Sequence, residues 1–68
     1  MKRDEVGRRI RSWMVDTGMS AGQTAEALGV PEGTFKSWIY GQRSISFDRA
    51  EQICDLFGKR LDELACRG

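Results

Sequence analysis

Between Ser20 and Gly41 two helix-forming stretches meet at a single glycine, and nothing else in the chain restricts its folding so severely. Ser20-Ala21-Gly22-Gln23 reads as a capping box, in which a serine hydroxyl accepts a backbone N–H and a glutamine reaches back. A helix is expected from there to about Leu28, with Thr24, Ala25 and Leu28 inward. Gly29 supplies the turn. Pro31 suits the first turn of a new helix, where its missing N–H costs nothing, so a second helix is expected from Pro31 or Glu32 to Tyr40, closed by Gly41. A connection this short forces the helices to cross steeply, and a steep crossing needs a small residue at the point of contact. Ala25, one turn before Gly29, meets that need. Leu28, Val30, Phe35 and Trp38 are expected to fill the angle between the helices.

The flanking segments are punctuated in the same way. Val6, Ile10, Trp13 and Met14 recur on one face of a helix expected from about Asp4 to Asp16, with Arg8, Arg9 and Arg11 over the remainder and Gly18 as the stop. Ser46 is expected to cap a fourth helix in which Phe47, Ala50, Ile53 and Phe57 form a stripe, stopped by Gly58. A short fifth helix is expected from Leu61 to Ala65. Apolar and polar residues alternate nowhere over a useful length, so the chain reads as all-α, a single domain over residues 1–68.

Several function classes find no parts here. No apolar run approaches the roughly 20 residues that span a bilayer, and no export leader is recognisable, so a cytoplasmic protein without a membrane partner is expected. Cys54 and Cys66 are too few for a zinc site, and the chain has no histidine to help them. Both are expected as free thiols, Cys54 half-buried and Cys66 near the chain end. No nucleophile–base pattern or phosphate-cradling loop is present. The chain is therefore not expected to be an enzyme, to hold a cofactor or to take a small-molecule substrate. The net charge is only +1, but residues 1–43 carry seven basic side chains against five acids, and residues 44–68 four against five. The amino-terminal part is the side that suits a polyanion.

The order Ala25, Gly29, Phe35, Trp38 is that of a helix-turn-helix that places its second helix in the DNA major groove. The plainer reading, a helical hairpin inside a small bundle, is countered by the outward face of that helix. Glu32, Gly33, Thr34, Lys36, Ser37 and Tyr40 are small or polar, and a major groove about 12 Å wide admits a helix bearing them. Glu32 can accept from cytosine N4, and Thr34, Lys36 and Ser37 can read bases or hold phosphates. Tyr40, Gln42, Arg43 and Ser44 are placed to hold the backbone. The helix that starts at Ala21 and Gln23 points N–H groups at a phosphate. Trp38, by its spacing from Phe35, belongs to the core.

Val6-Gly-Arg-Arg-Ile10, Met19-Ser20, Ala25, Leu28-Gly29-Val30, Gly41 and Leu61-Asp-Glu-Leu64 together resemble the Cro and phage-repressor class of helix-turn-helix regulators. The resemblance covers nearly the whole chain. It implies the five-helix lambda-repressor-like fold, with a helix-turn-helix formed by helices 2 and 3. It also implies base-reading positions at Glu32, Gly33 and Ser37, and a transcriptional regulator, a repressor, binding double-stranded DNA. Two departures stand out. The class usually opens helix 2 with a glutamine that contacts phosphate, where this chain has Ala21. It also often pairs an arginine in helix 1 with a glutamate late in helix 3, where this chain has Met14 and Ile39. Replacing both charges by apolar residues leaves neither stranded, so Met14 and Ile39 are expected to touch in the core.

A single recognition helix covers few base pairs, so a homodimer on a palindromic operator is expected. Ile53 and Phe57 are assigned to the core, which leaves Leu56, Leu61 and Ala65 for a small exposed patch between subunits. The competing reading is a protein-binding adaptor or antitoxin-type module on the same fold.

Overall fold

Residues 3–64 are described by the computed structural model. They form five helices: α1 (Arg3–Thr17), α2 (Ala21–Leu28), α3 (Glu32–Ile39), α4 (Phe47–Phe57) and α5 (Leu61–Leu64). No strand occurs among the described residues. This is the all-α, five-helix arrangement expected from the sequence, with each boundary within about two residues of its expected place. Part of the expected fifth helix, Ala65, lies outside the described residues, as does Cys66.

The boundaries are set by caps. Ser20 Oγ accepts from Gln23 N at 3.1 Å while Ser20 N donates to Gln23 Oε1 at 2.9 Å, completing the capping box of α2. Ser46 Oγ accepts from Arg49 N at 3.2 Å to start α4. At the corner between α2 and α3, Gly29 adopts φ +73°, a left-handed conformation that costs glycine nothing. There Gly29 N donates to Glu26 O and Val30 N to Ala25 O, the paired bonds of a Schellman motif. The same pair of bonds ends α3 at Gly41, where Gly41 N donates to Trp38 O and Gln42 N to Ser37 O.

One core holds the helices together: Val6, Ile10, Trp13, Met14, Ala25, Phe35, Trp38, Ile39, Ala50, Ile53, Cys54, Phe57 and Leu64 are all buried. Phe35 sits edge-on to Trp38 with ring centroids 6.4 Å apart, and Trp13 lies against Phe57 at 6.0 Å. Met19, Leu28, Val30, Ile45 and Leu61 pack on its margin. Thr24 is fully buried, its hydroxyl satisfied by donating to Ser20 O at 2.8 Å. Met14 and Ile39 are both buried in this core and line one groove between α1 and α3.

Two expectations are corrected. Phe47 does not join the α4 stripe but is 59% exposed. It occupies the first position of α4, and a helical side chain leans back toward the N-terminus, which carries the ring past the edge of the core. Cys54 is buried rather than half-buried. Burial pushes its thiol pKa up, with Asp55, Glu63 and Glu51 adding to the rise, so it stays protonated and inert.

Gly7, given no packing role by the sequence reading, sets how closely α1 approaches α3. A methyl built there would lie 2.7 Å from the carbonyl carbon of Ile39 and 3.0 Å from its Cα. The two helices meet backbone to backbone, and the end of α3 is thereby seated on α1.

Candidate nucleic-acid interface

With Phe35, Trp38 and Ile39 turned into the core, the outer face of α3 is left to polar residues. Glu32, Gly33, Lys36 and Tyr40 are exposed, and Thr34 and Ser37 are half-buried. A Cβ at Gly33 would meet open space, so nothing obstructs this face there. Lys36 Nζ pairs with Glu32 Oε2 at 2.9 Å. The hydrogen bond to Glu32, then its charge, raises the Lys36 pKa above the ordinary lysine value. Ser37 Oγ donates to Thr34 O at 2.6 Å, which leaves its lone pairs, but not its proton, for an outside partner.

At the carboxyl end of α3, Tyr40 is 59% exposed with the Arg11 guanidinium 5.3 Å from its ring centroid. Gln42, Arg43 and Ser44 follow as exposed residues. Arg43 N donates to Ser37 O, which ties the loop back to the helix. Arg43 and Ser44 line a cleft with Arg3, Val6, Trp38 and Ile45. Two arginines, one from the start of α1 and one from the loop after α3, thus border one depression.

The start of α2 offers less than expected. Ala21 is half-buried along the groove with Met14, Ile39 and Tyr40. The Gln23 carbonyl oxygen is committed to the capping box, leaving its NH₂ as donor.

Sequence reasoning assigned Arg11 to the exposed remainder of α1. It is instead half-buried, and its Nη1 donates to Ile39 O in the last turn of α3. Arg49 of α4 does the corresponding work for α2, donating to Leu28 O at 3.3 Å and to Gln52 Oε1 at 2.8 Å. Each helix of the pair therefore has an arginine from a flanking helix at its negative end, where a cation is favoured. Arg3, Arg11 and Gly7 were not identified as site-forming residues. Their partners lie far along the chain, and no local spacing announces them. Arg11→Ala is expected to cost about 1–2 kcal/mol, the range for a hydrogen bond to a charged donor with part exposure, read by urea denaturation. A cost indistinguishable from zero would remove Arg11 from the seating of α3.

Of the residues assigned to a subunit interface, Leu56 is 37% exposed and lies beside Ala27, Leu28, Gln52 and Asp55. Leu61 is half-buried against the core, so it offers less surface than expected. Ala65 lies outside the described residues. Leu64 is fully buried. No helix among the described residues is long and apolar enough to cross a membrane.

Residues 5–65 match the model of a family described as a helix-turn-helix domain. No curated protein sequence matches the chain. Among solved structures, the clp gene regulator ClgR from Corynebacterium glutamicum is similar in two crystal structures. One gives a TM-score of 0.87 at 23% identity, covering 97% of this chain and 86% of that chain. The other gives 0.89 at 23% identity, covering 97% of this chain and 70% of that chain. At that identity the likeness carries the fold, which is the five-helix arrangement described above.

Proposed function

We propose, from the premise that this chain belongs to the helix-turn-helix domain family, that it is a sequence-specific regulator of transcription that sets α3 into the major groove of duplex DNA. The observation that carries this reading is the division of α3: its apolar side is buried, while Glu32, Gly33, Lys36 and Tyr40 form an open, polar outer face. In this reading Glu32, Gly33, Thr34, Lys36 and Ser37 meet base edges. Tyr40, Gln42, Arg43 and Ser44 hold the phosphate backbone, with Arg3 added by its place in the Arg43 cleft. Ala21 and Gln23 bring the amino end of α2 to a second phosphate, through the Ala21 backbone N–H and the Gln23 side-chain NH₂. The similar structures are described as a gene regulator, which supports the same class of role. The reading extends to a repressor that blocks transcription by occupying its operator.

The chain acts as a homodimer in this account. One recognition helix discriminates poorly against the roughly 10⁶–10⁹ competing sites of a genome, whereas two related by a two-fold axis read a palindrome with half-sites about 34–36 Å apart. Leu56 is the exposed apolar residue around which the subunit contact is built. Leu56→Glu is expected to abolish cooperative occupancy of paired half-sites in gel shifts while leaving single half-site affinity nearly intact; unchanged cooperativity would move the dimer contact elsewhere.

Arg43→Ala tests the phosphate contacts. It is expected to weaken all duplexes alike and to flatten the dependence of log K on log salt by about 0.9. An unchanged slope would remove Arg43 from the interface. A chain that binds no duplex at any salt concentration would overturn the reading in favour of a protein-binding adaptor.

A further inference from the structure

Glu32 and Lys36 stand one turn apart on the outer face of α3, with Nζ and Oε2 2.9 Å apart and their side chains 50% and 52% exposed. An exposed pair at this spacing stabilises a helix only slightly, so its interest lies in where it is held. The second carboxylate oxygen, Oε1, lies against Gly22 in the first turn of α2, so close that a Cβ at Gly22 would stand 2.9 Å from it. The bare glycine leaves room for the carboxylate beside the positive end of α2, where an anion is favoured. The Glu32 carboxylate thus has an ammonium of its own helix on one side and the start of the neighbouring helix on the other.

The result is an acceptor and a donor side by side on the face assigned to the groove. The major-groove edge of a C·G pair is complementary to that arrangement. It offers the cytosine N4 amino donor next to the guanine O6 and N7 acceptors. N4 and O6 are themselves joined by an N–H···O bond of about 2.9 Å, which matches the Glu32–Lys36 separation. We propose that Glu32 and Lys36 read one C·G base pair as a unit, the carboxylate accepting from cytosine N4 and the ammonium donating to guanine O6 and N7. This rests on α3 entering the major groove as described above. An A·T edge fits worse, since adenine N7 would set an acceptor beside the carboxylate and the thymine methyl would crowd the ammonium. Reversing the pair to G·C exchanges donor and acceptor and opposes like groups.

The proposal separates Lys36 from a phosphate-binding lysine. A lysine on phosphate displaces a counterion and adds to the salt dependence of binding, whereas Lys36 on a base edge does not. The test is selection from random duplexes with the full chain and with Glu32→Gln, Lys36→Met and the double variant, followed by salt titration on the selected site. Circular dichroism confirms that each variant is folded. Each single variant is expected to lose preference at the same one base pair, by about 5- to 150-fold. The double variant should lose no more than the worse single, and the Lys36→Met salt slope should equal the unsubstituted chain's. Loss at two different base pairs, loss at none, or a slope flattened by about 0.9 in Lys36→Met would overturn the paired reading while leaving DNA binding intact. Failure of the unsubstituted chain to enrich any motif would instead overturn the DNA-binding reading, and the paired one with it.

Discussion

Phe35→Ala is expected to leave the chain largely unfolded at 25 °C. Phe35 is fully buried, and it comes first among the largest such side chains. It belongs to the same buried cluster as Ala25, with its ring edge-on to Trp38. Truncating a buried phenylalanine costs about 3–5 kcal/mol, as lost transfer energy plus a cavity that neighbours refill only in part. A domain of this length has a total stability of about 3–10 kcal/mol, so the loss takes a large share of what is available. Urea denaturation followed by far-UV circular dichroism should show the cooperative transition shifted toward zero denaturant or lost. Phe35→Leu, which keeps most of the volume, should retain the transition. A cost below about 1 kcal/mol for Phe35→Ala, the size of an ordinary surface effect, would mean that the corner is not held by this packing.

Gly7→Ala sets two effects of opposite sign against each other. Helix propensity alone favours alanine by about 1 kcal/mol at an interior position. Against that stands the overlap with Ile39, where the new methyl would come within 2.7 Å of the carbonyl carbon. The obstacle is backbone, not the tip of a flexible side chain, so it yields only if α1 moves away from α3. Forced overpacking of this kind costs about 1–3 kcal/mol and occasionally more, and the separation would also draw Arg11 away from Ile39 O. The net result is expected to be destabilisation by about 1–2 kcal/mol, measured as a fall in the urea midpoint, accompanied by weaker DNA binding. A variant more stable than the parent would show that α1 and α3 do not meet backbone to backbone.

These positions show what the sequence discloses and what it withholds. Caps are local, so Ser20, Gln23, Gly29, Gly41, Ser46 and Gly58 placed the helix ends from the residue order, and the Ala25, Gly29, Phe35, Trp38 spacing placed the turn. Burial by helical spacing held for Val6, Ile10, Trp13 and Met14. It failed for Phe47, because periodicity does not register where the core stops along a helix. Gly7 and Arg11 act through Ile39, about thirty residues away, and neither partnership has a signature within one helix. The same holds for Glu32 against Gly22, where the pair on one helix was within reach of the sequence but the glycine that makes room for it was not.

The apolar Met14 and Ile39 illustrate a compensation that residue order suggests only in part. Their shared lack of charge pointed to a packed seam between α1 and α3, and both are buried there. The charge that serves the end of α3 comes instead from Arg11, less than one turn earlier on α1, bonding to the Ile39 backbone rather than to a side chain. The seam therefore keeps a cation at the carboxyl end of α3 without burying an acid to match it.

The measurement that bears most directly on this account is competition binding of the full chain to its selected duplex and to a scrambled duplex across a series of salt concentrations. The account predicts an affinity for the selected site about 10³-fold or more above the scrambled one at physiological salt, with log K falling by about 0.9 per log unit of salt for each phosphate contact. Equal affinity for both duplexes, or binding indifferent to salt, would contradict it.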